Sequence, residues 1–181
     1  MSAPDPTALE KLIERFPGRR IAVLGDVMVD RYLWGRVDRI SPEAPVPVVE
    51  IERESYTLGG AANVAANLRA LGAEPRLLGV VGEDAEGATI RATLERLGIS
   101  AAHLTADAAR PTTVKTRIVA HSQHVVRADR ESRADVAGAA LDRLLAAIEA
   151  ALGDAEGLVI SDYGKGVGKA RTLACALAAA R

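Results

Sequence analysis

The sequence predicts an α/β fold, a parallel sheet flanked by helices with a smaller set of extended strands standing apart from it. Three observations predict it. Short apolar runs rich in branched residues, at Arg20–Gly25 (R-I-A-V-L-G), Pro75–Val81 (P-R-L-L-G-V-V) and Gly157–Ser161 (G-L-V-I-S), have the length and continuity of strands buried on both faces. Between them lie stretches with apolar residues at helical spacing, so strand and helix alternate along the chain. Two further segments, 31–57 and 111–130, have no helical period and carry proline-spaced or alternating valines, which sets them outside that alternation.

The elements follow in order. Thr7 to Arg15 reads as a short amphipathic helix with Leu9, Leu12 and Ile13 on one face and Thr7 as its cap, ended by Pro17-Gly18. The first strand then runs into Gly25-Asp26, and Asp30 follows four residues on. Ligands of open α/β sheets sit beyond the carboxyl ends of strands, so Asp26 and Asp30 are placed to accept hydrogen bonds from hydroxyls. The alternative is that Asp26 shapes a turn; two carboxylates at one strand end put the ligand reading ahead. In 31–57, Pro42, Pro45 and Pro47 hold the chain extended and Glu50-Ile51-Glu52-Arg53 alternates, which reads as strands forming a flap over the site or a dimer contact.

Gly59-Gly60-Ala61-Ala62-Asn63 opens the next helix, Ala61 to Leu71, with Val64, Leu68 and Leu71 at core spacing and Gly72 as its cap. A helix start offers unpaired N–H groups and partial positive charge, glycine admits a close ligand, and Asn63 both donates and accepts. That suits a polar or anionic ligand; an ordinary helix start with a flexible entry fits the same residues. Asp84 caps a helix reaching Leu97, with Ile90, Leu94 and Leu97 as its core face, and Ile99 to Leu104 is a third strand. Pro111 to Asp129 is a hairpin turning near His121-Ser122, with Val114, Thr116 and Ile118 on one face and Lys115, Arg117 and Val119 on the other. Lys115 and Arg117 either neutralise a phosphate or form a solvated face. His121 and His124 are not spaced to share a metal. Asp135 to Leu152 is an amphipathic helix, Gly157–Ser161 a fourth buried strand with Asp162 at its end, and Val167 to Arg181 an alanine-rich helix with Cys175 in the core.

Composition narrows the function. The 181 residues are 49% hydrophobic, which supports a packed core. A net charge of −1 gives no footprint for nucleic acid or an anionic membrane, and 3% aromatics gives no stacking platform. The single cysteine excludes an intrachain disulfide and a cysteine zinc site and fits a reducing cytoplasm. No signal peptide and no membrane span are legible. Gly164 to Lys169 (G-K-G-V-G-K) is not a P-loop, because three residues rather than four separate Gly164 from Gly168 and Ala170 stands where a hydroxyl would meet magnesium. No G-x-G-x-x-G follows the first strand, which speaks against a nicotinamide cofactor.

Four stretches carry a resemblance: V-L-G-D-V-M-V-D-R-Y at 23–32, R-I-S-P-E-A-P-V-P-V-V at 39–49, G-G-A-A-N-V-A at 59–65 and L-V-I-S-D-Y-G-K-G at 158–166. They resemble the N-terminal part of the ribokinase-like (PfkB) carbohydrate kinases, and within that family the bacterial heptose 7-phosphate kinases of lipopolysaccharide precursor synthesis. The resemblance implies a ribokinase-like parallel sheet flanked by helices, with a small β-sheet lid made of 31–57 and 111–130 that also forms a homodimer. It implies that Asp26, Asp30, Gly59, Gly60 and Asn63 bind sugar hydroxyls, that Lys115, Arg117 and Arg127 lie near the substrate phosphate, and that Asp162 and Lys165 lie on the phosphate or nucleotide side. The implied reaction takes ATP and Mg2+ and phosphorylates the anomeric hydroxyl of the sugar phosphate in the cytoplasm, with neither nucleic acid nor membrane as partner. The family's G-A-G-D motif, whose aspartate is the general base, has no counterpart; Gly138-Ala139-Ala140-Leu141-Asp142 has the wrong spacing and lies in a helix. The resemblance therefore implies that the C-terminal part of the fold, the base and most of the ATP site are absent from this chain. Expected of the isolated chain are little or no kinase activity and, with an open sheet edge, aggregation or a need for a partner. A non-catalytic sugar-phosphate-binding or dimerisation module, or another sugar kinase of the same family, is the alternative.

Overall fold

Strands of the computed structural model fall into two four-stranded sheets; the structure describes residues 6–121 and 123–180. The elements run α1 (Pro6–Ile13), β1 (Arg20–Gly25), β2 (Val27–Ile40), β3 (Pro47–Gly60), α2 (Ala61–Ala70), β4 (Glu74–Gly82), α3 (Ala85–Arg96), β5 (Leu104–Asp107), β6 (Thr113–Ala120), β7 (Gln123–Arg130), α4 (Gly138–Leu152), β8 (Gly157–Ser161) and α5 (Ala170–Ala179). The main sheet has the order β5-β4-β1-β8 and is parallel throughout. The second sheet has the order β3-β2-β6-β7, antiparallel except where β2 and β6 run parallel.

Both faces of β1 are covered, which is why its run is apolar without alternation. Val23 packs with Leu77, Ile90, Leu94 and the α2 alanines on one side. Ala22 and Leu24 pack with Leu78, Leu144, Ile148 and Ala176 on the other. Each fully buried Leu or Ile contributes about 1.5–3 kcal/mol of transfer free energy.

Several expectations are corrected. The third strand is Leu104–Asp107, not Ile99 to Leu104. Ile99 is buried, but its N–H bonds to Leu94 O while Gly98 N–H bonds to Glu95 O, so it closes the C-terminus of α3 and its side chain covers the last turn. The β8 strand is an edge strand, half-buried with Ile160 exposed, because β1 is its sole neighbour among the described residues. Helix α2 buries Ala61, Ala62 and Ala65, with Leu71 exposed, because small side chains let it lie close on the sheet. Leu97 is likewise exposed, past the end of α3. Helix α1 starts at Pro6, which puts Thr7 inside the first turn, and its Leu9, Leu12 and Ile13 face solvent. Helix α4 starts at Gly138 rather than Asp135.

The segments 31–57 and 111–130 lie in the second sheet, whose strands extend beyond them to Val27 and Gly60. The buried start of β2, Val27, Met28 and Val29, grows directly out of the main core. His121 has φ 48° at the β6–β7 turn; Ser122 lies outside the described residues.

Asp84 ties the second sheet to the main one. Its carboxylate caps α3 through Gly87 N–H (2.9 Å), accepts Thr112 N–H (2.9 Å) and the Thr112 hydroxyl (2.6 Å) before β6, and pairs with Arg130 (2.7 Å) at the end of β7. Burial acts to raise its pKa, yet the Thr112 and Gly87 bonds and the Arg130 charge hold the carboxyl below its usual range. Asp84→Ala should cost about 3 kcal/mol, a cap of about 1 and charge-assisted bonds of about 1.5–3. A carboxyl depressed by folding stabilises above its unfolded value near pH 4 and loses that contribution as pH falls through the folded pKa. The gap between Asp84→Ala and parent, measured by urea unfolding, should therefore narrow below about pH 4. A gap independent of pH would refute the ionic part of this role.

Candidate functional site

Alternation along β2 sends Asp30, Tyr32 and Trp34 to one face of the second sheet. The register sets Asp30 beside Thr57 on β3 and Lys115 on β6, and sets Lys115 opposite Asp129 on β7. The next rung is Ser55, Tyr32, Arg117 and Arg127. Residues paired across strands share a face, so these two rungs put two carboxylates, three cations and the Tyr32 ring together. The opposite face carries Leu33, Ile118 and Val126 in a single rung, within an open apolar groove of about 540 Å³ also lined by Val49, Ile51 and Val125.

The polar face is cross-linked. Arg117 pairs with Asp30, a bond that raises the arginine's pKa further, and its guanidinium lies 5.4 Å over the Tyr32 ring. Tyr32 stacks on Trp34 at 5.7 Å; Arg53 covers Trp34 at 4.7 Å, and the indole N–H donates to Ser55 Oγ at 3.1 Å. Lys115 Nζ lies 3.0 Å from Asp129 and 3.6 Å from Glu131. Arg127 Nε lies 2.9 Å from Asp129, whose carboxyl is held low first by Lys115 and then by Arg127.

The two glycines make this arrangement possible. A Cβ on Gly59 would lie 2.7 Å from Asp30 Oδ2, so a side chain there would displace the carboxylate. Gly60 has φ 54°, and a Cβ on it would lie 2.2 Å from Asp26 O, the same oxygen that receives Ala61 N–H at 3.0 Å. No side chain caps α2, and Asn63 is exposed in its first turn.

Asp26 is engaged by backbone amides. It is 2% exposed, and its carboxylate accepts the N–H groups of Tyr163 (2.7 Å), Lys165 (3.0 Å) and Val167 (3.3 Å). It organises the loop after β8. Asp162 also serves that loop, accepting Gly164 N–H at 2.8 Å, and a Cβ on Gly168 would collide with it. The loop in turn carries Lys165, whose Nζ reaches Glu131 at 2.7 Å.

The structure thus gathers Asp30, Gly59, Lys115, Arg117 and Arg127 at one face and brings Lys165 to its margin through Glu131. Asp129, Glu131, Tyr32, Trp34 and Arg53 are members of this face that sequence reasoning missed. The alternation of Arg127 and Asp129 was a signal for the first, but the others depend on strand pairing. Among the described residues no group of three His, Cys, Asp or Glu side chains gathers. No helix is long and apolar enough to cross a membrane.

Known proteins resemble this chain in sequence and in fold. The bifunctional protein HldE of Caulobacter vibrioides is 50% identical over 160 residues, 88% of this chain and 32% of that protein. HldE of Caulobacter sp. strain K31 is 49% identical over 172 residues, 95% of this chain and 35% of that protein. The chain therefore spans about a third of the length of these relatives. Among solved structures, a putative phosphofructokinase from Staphylococcus aureus superposes with a TM-score of 0.68 at 15% identity, over 88% of this chain and 48% of its own. Phosphofructokinase-2 from Escherichia coli superposes with a TM-score of 0.63 at 16% identity, over 90% of this chain and 51% of its own. These likenesses show the ribokinase-like α/β fold. The family model of pfkB carbohydrate kinases matches residues 19–181, and the chain belongs to that family.

Proposed function

We propose that this chain carries the sugar-binding portion of a heptose 7-phosphate kinase, which transfers the ATP γ-phosphoryl group to the anomeric hydroxyl of D-glycero-D-manno-heptose 7-phosphate for lipopolysaccharide precursor synthesis. The observation that carries it is the polar face on which Asp30 stands beside Lys115, Arg117 and Arg127, in a chain about half identical to HldE proteins. Asp30 accepts hydrogen bonds from sugar hydroxyls, with the Gly59-Gly60 backbone and Asn63 as the opposing wall. The basic residues hold the 7-phosphate, for which charge-assisted donors are the strong ligands. Asp26 supports the loop that bears Lys165 and does not touch the sugar. ATP supplies the phosphoryl group and Mg2+ its counter-charge.

The second sheet acts as a lid over the sugar. Its apolar groove, with Ile51, Val125 and Val126 exposed, suits a second copy of the chain, which makes a homodimer the expected assembly. ATP as co-substrate fits a cytoplasmic location.

Calorimetry tests the reading. Heptose 7-phosphate should bind at least about tenfold more tightly than unphosphorylated heptose, one charge-assisted contact's worth. The sequence holds no G-A-G-D motif, so binding without ATP-dependent turnover is expected of this chain. Equal affinity for the two sugars would sink the phosphate assignment, and robust turnover would sink the account of the missing base.

A further inference from the structure

Glu131, the first residue past β7, joins the two sheets at one carboxylate. Its Oε1 accepts from Lys165 Nζ at 2.7 Å and Arg133 Nε at 3.1 Å. Its Oε2 faces Lys115 Nζ at 3.6 Å and is buried with no hydrogen-bond partner among the described residues. Lys115 belongs to the second sheet, and Lys165 to the loop that Asp26 anchors on the main sheet. The three side chains are only 16%, 11% and 13% exposed for Lys115, Lys165 and Glu131.

Two features mark this arrangement as a place-holder. A buried carboxylate oxygen without a hydrogen bond is poorly satisfied, and Lys115 leaves it so because Asp129 draws the ammonium closer. The charges also do not balance. Lys115, Arg127, Arg133 and Lys165 stand against Asp129 and Glu131, while Arg117 is already matched by Asp30. Two positive charges are left over, the complement of a phosphate monoester dianion.

We infer that Glu131 is a positioning residue that holds Lys115 and Lys165 together in the free protein, and that the substrate phosphate displaces it. The lysines then pass from carboxylate to phosphate, and Glu131 turns outward with Arg133, which is 77% exposed. Phosphate binding is in this way coupled to the contact between the two sheets. The inference rests on the reading of the substrate as a sugar phosphate but not on which sugar it is.

Inorganic phosphate is the probe. In Glu131→Gln the competing carboxylate is gone, and phosphate should bind about tenfold more tightly; Lys165→Gln and Lys115→Gln should each weaken it about tenfold. A purely structural Glu131 would leave phosphate affinity unchanged or lower in Glu131→Gln, and that result overturns the inference, as does a Lys165→Gln protein that binds phosphate like the parent. The unaltered protein supplies a second measurement free of folding effects. Saturating phosphate should slow acetylation of Lys115 and Lys165 together, read by mass spectrometry, and equal rates with and without phosphate overturn the inference. If phosphate behaves as expected and the heptose adds nothing to its affinity, the heptose reading fails alone.

Discussion

Asp26→Ala should destabilise the chain by about 3 kcal/mol. The substitution leaves the amides of Tyr163, Lys165 and Val167 without their acceptor. A buried donor left unsatisfied costs about 1–3 kcal/mol, and the sum is held down because Tyr163 and its neighbours can turn to water. Val167 cannot do so readily, since it packs in the core with Leu141 and Leu144. Asp26→Asn keeps one acceptor oxygen and should lose about half as much. Urea unfolding measures both, and amide exchange should show faster opening at residues 163–167 than in β1. If Asp26 instead bound sugar, Asp26→Ala would unfold like the parent and lose heptose 7-phosphate affinity.

Asp30→Asn should lower heptose 7-phosphate affinity about 100-fold, corresponding to about 3 kcal/mol for charge-assisted bonds to the sugar and for the freed guanidinium of Arg117. The pair sits on the sheet face with side chains only 19% and 21% exposed, so little solvent screens it. Arg117→Gln should weaken binding through the same contact, and the double variant should lose much less than the two single losses added together. Calorimetry with circular dichroism as a folding control reads this. Additive losses would mean that Asp30 and Arg117 act on the ligand separately.

The two aspartates show how far local pattern reaches. In the sequence both follow the apolar run 20–25 within five residues, and the spacing treats them alike, although Asp30 lies within β2. The fold separates them by what meets each carboxylate: backbone amides of a distant loop for Asp26, a guanidinium on a facing strand for Asp30. Lys115 and Arg117 were equally compatible with a solvated face. Their place beside Asp30 comes from the parallel pairing of β2 with β6, which no turn or periodicity announces. At Ile99 a short apolar run reads as strand, whereas its N–H serves the end of α3.

Sequence alone determined the alternation of strand and helix, the bounds of β1 and β8, the capping role of Asp84, the separate extended segments and the glycine pair before α2. Each is written in residues a few positions apart, through hydrophobic period, capping and turn chemistry. Only the tertiary structure decided that α2 packs through alanines and that Asp30 meets Arg117, 87 residues away. It also decided that Glu131 stands between the lysines of two sheets. Those outcomes follow from strand order and register, which are set by how whole faces pack and are not encoded in any one stretch.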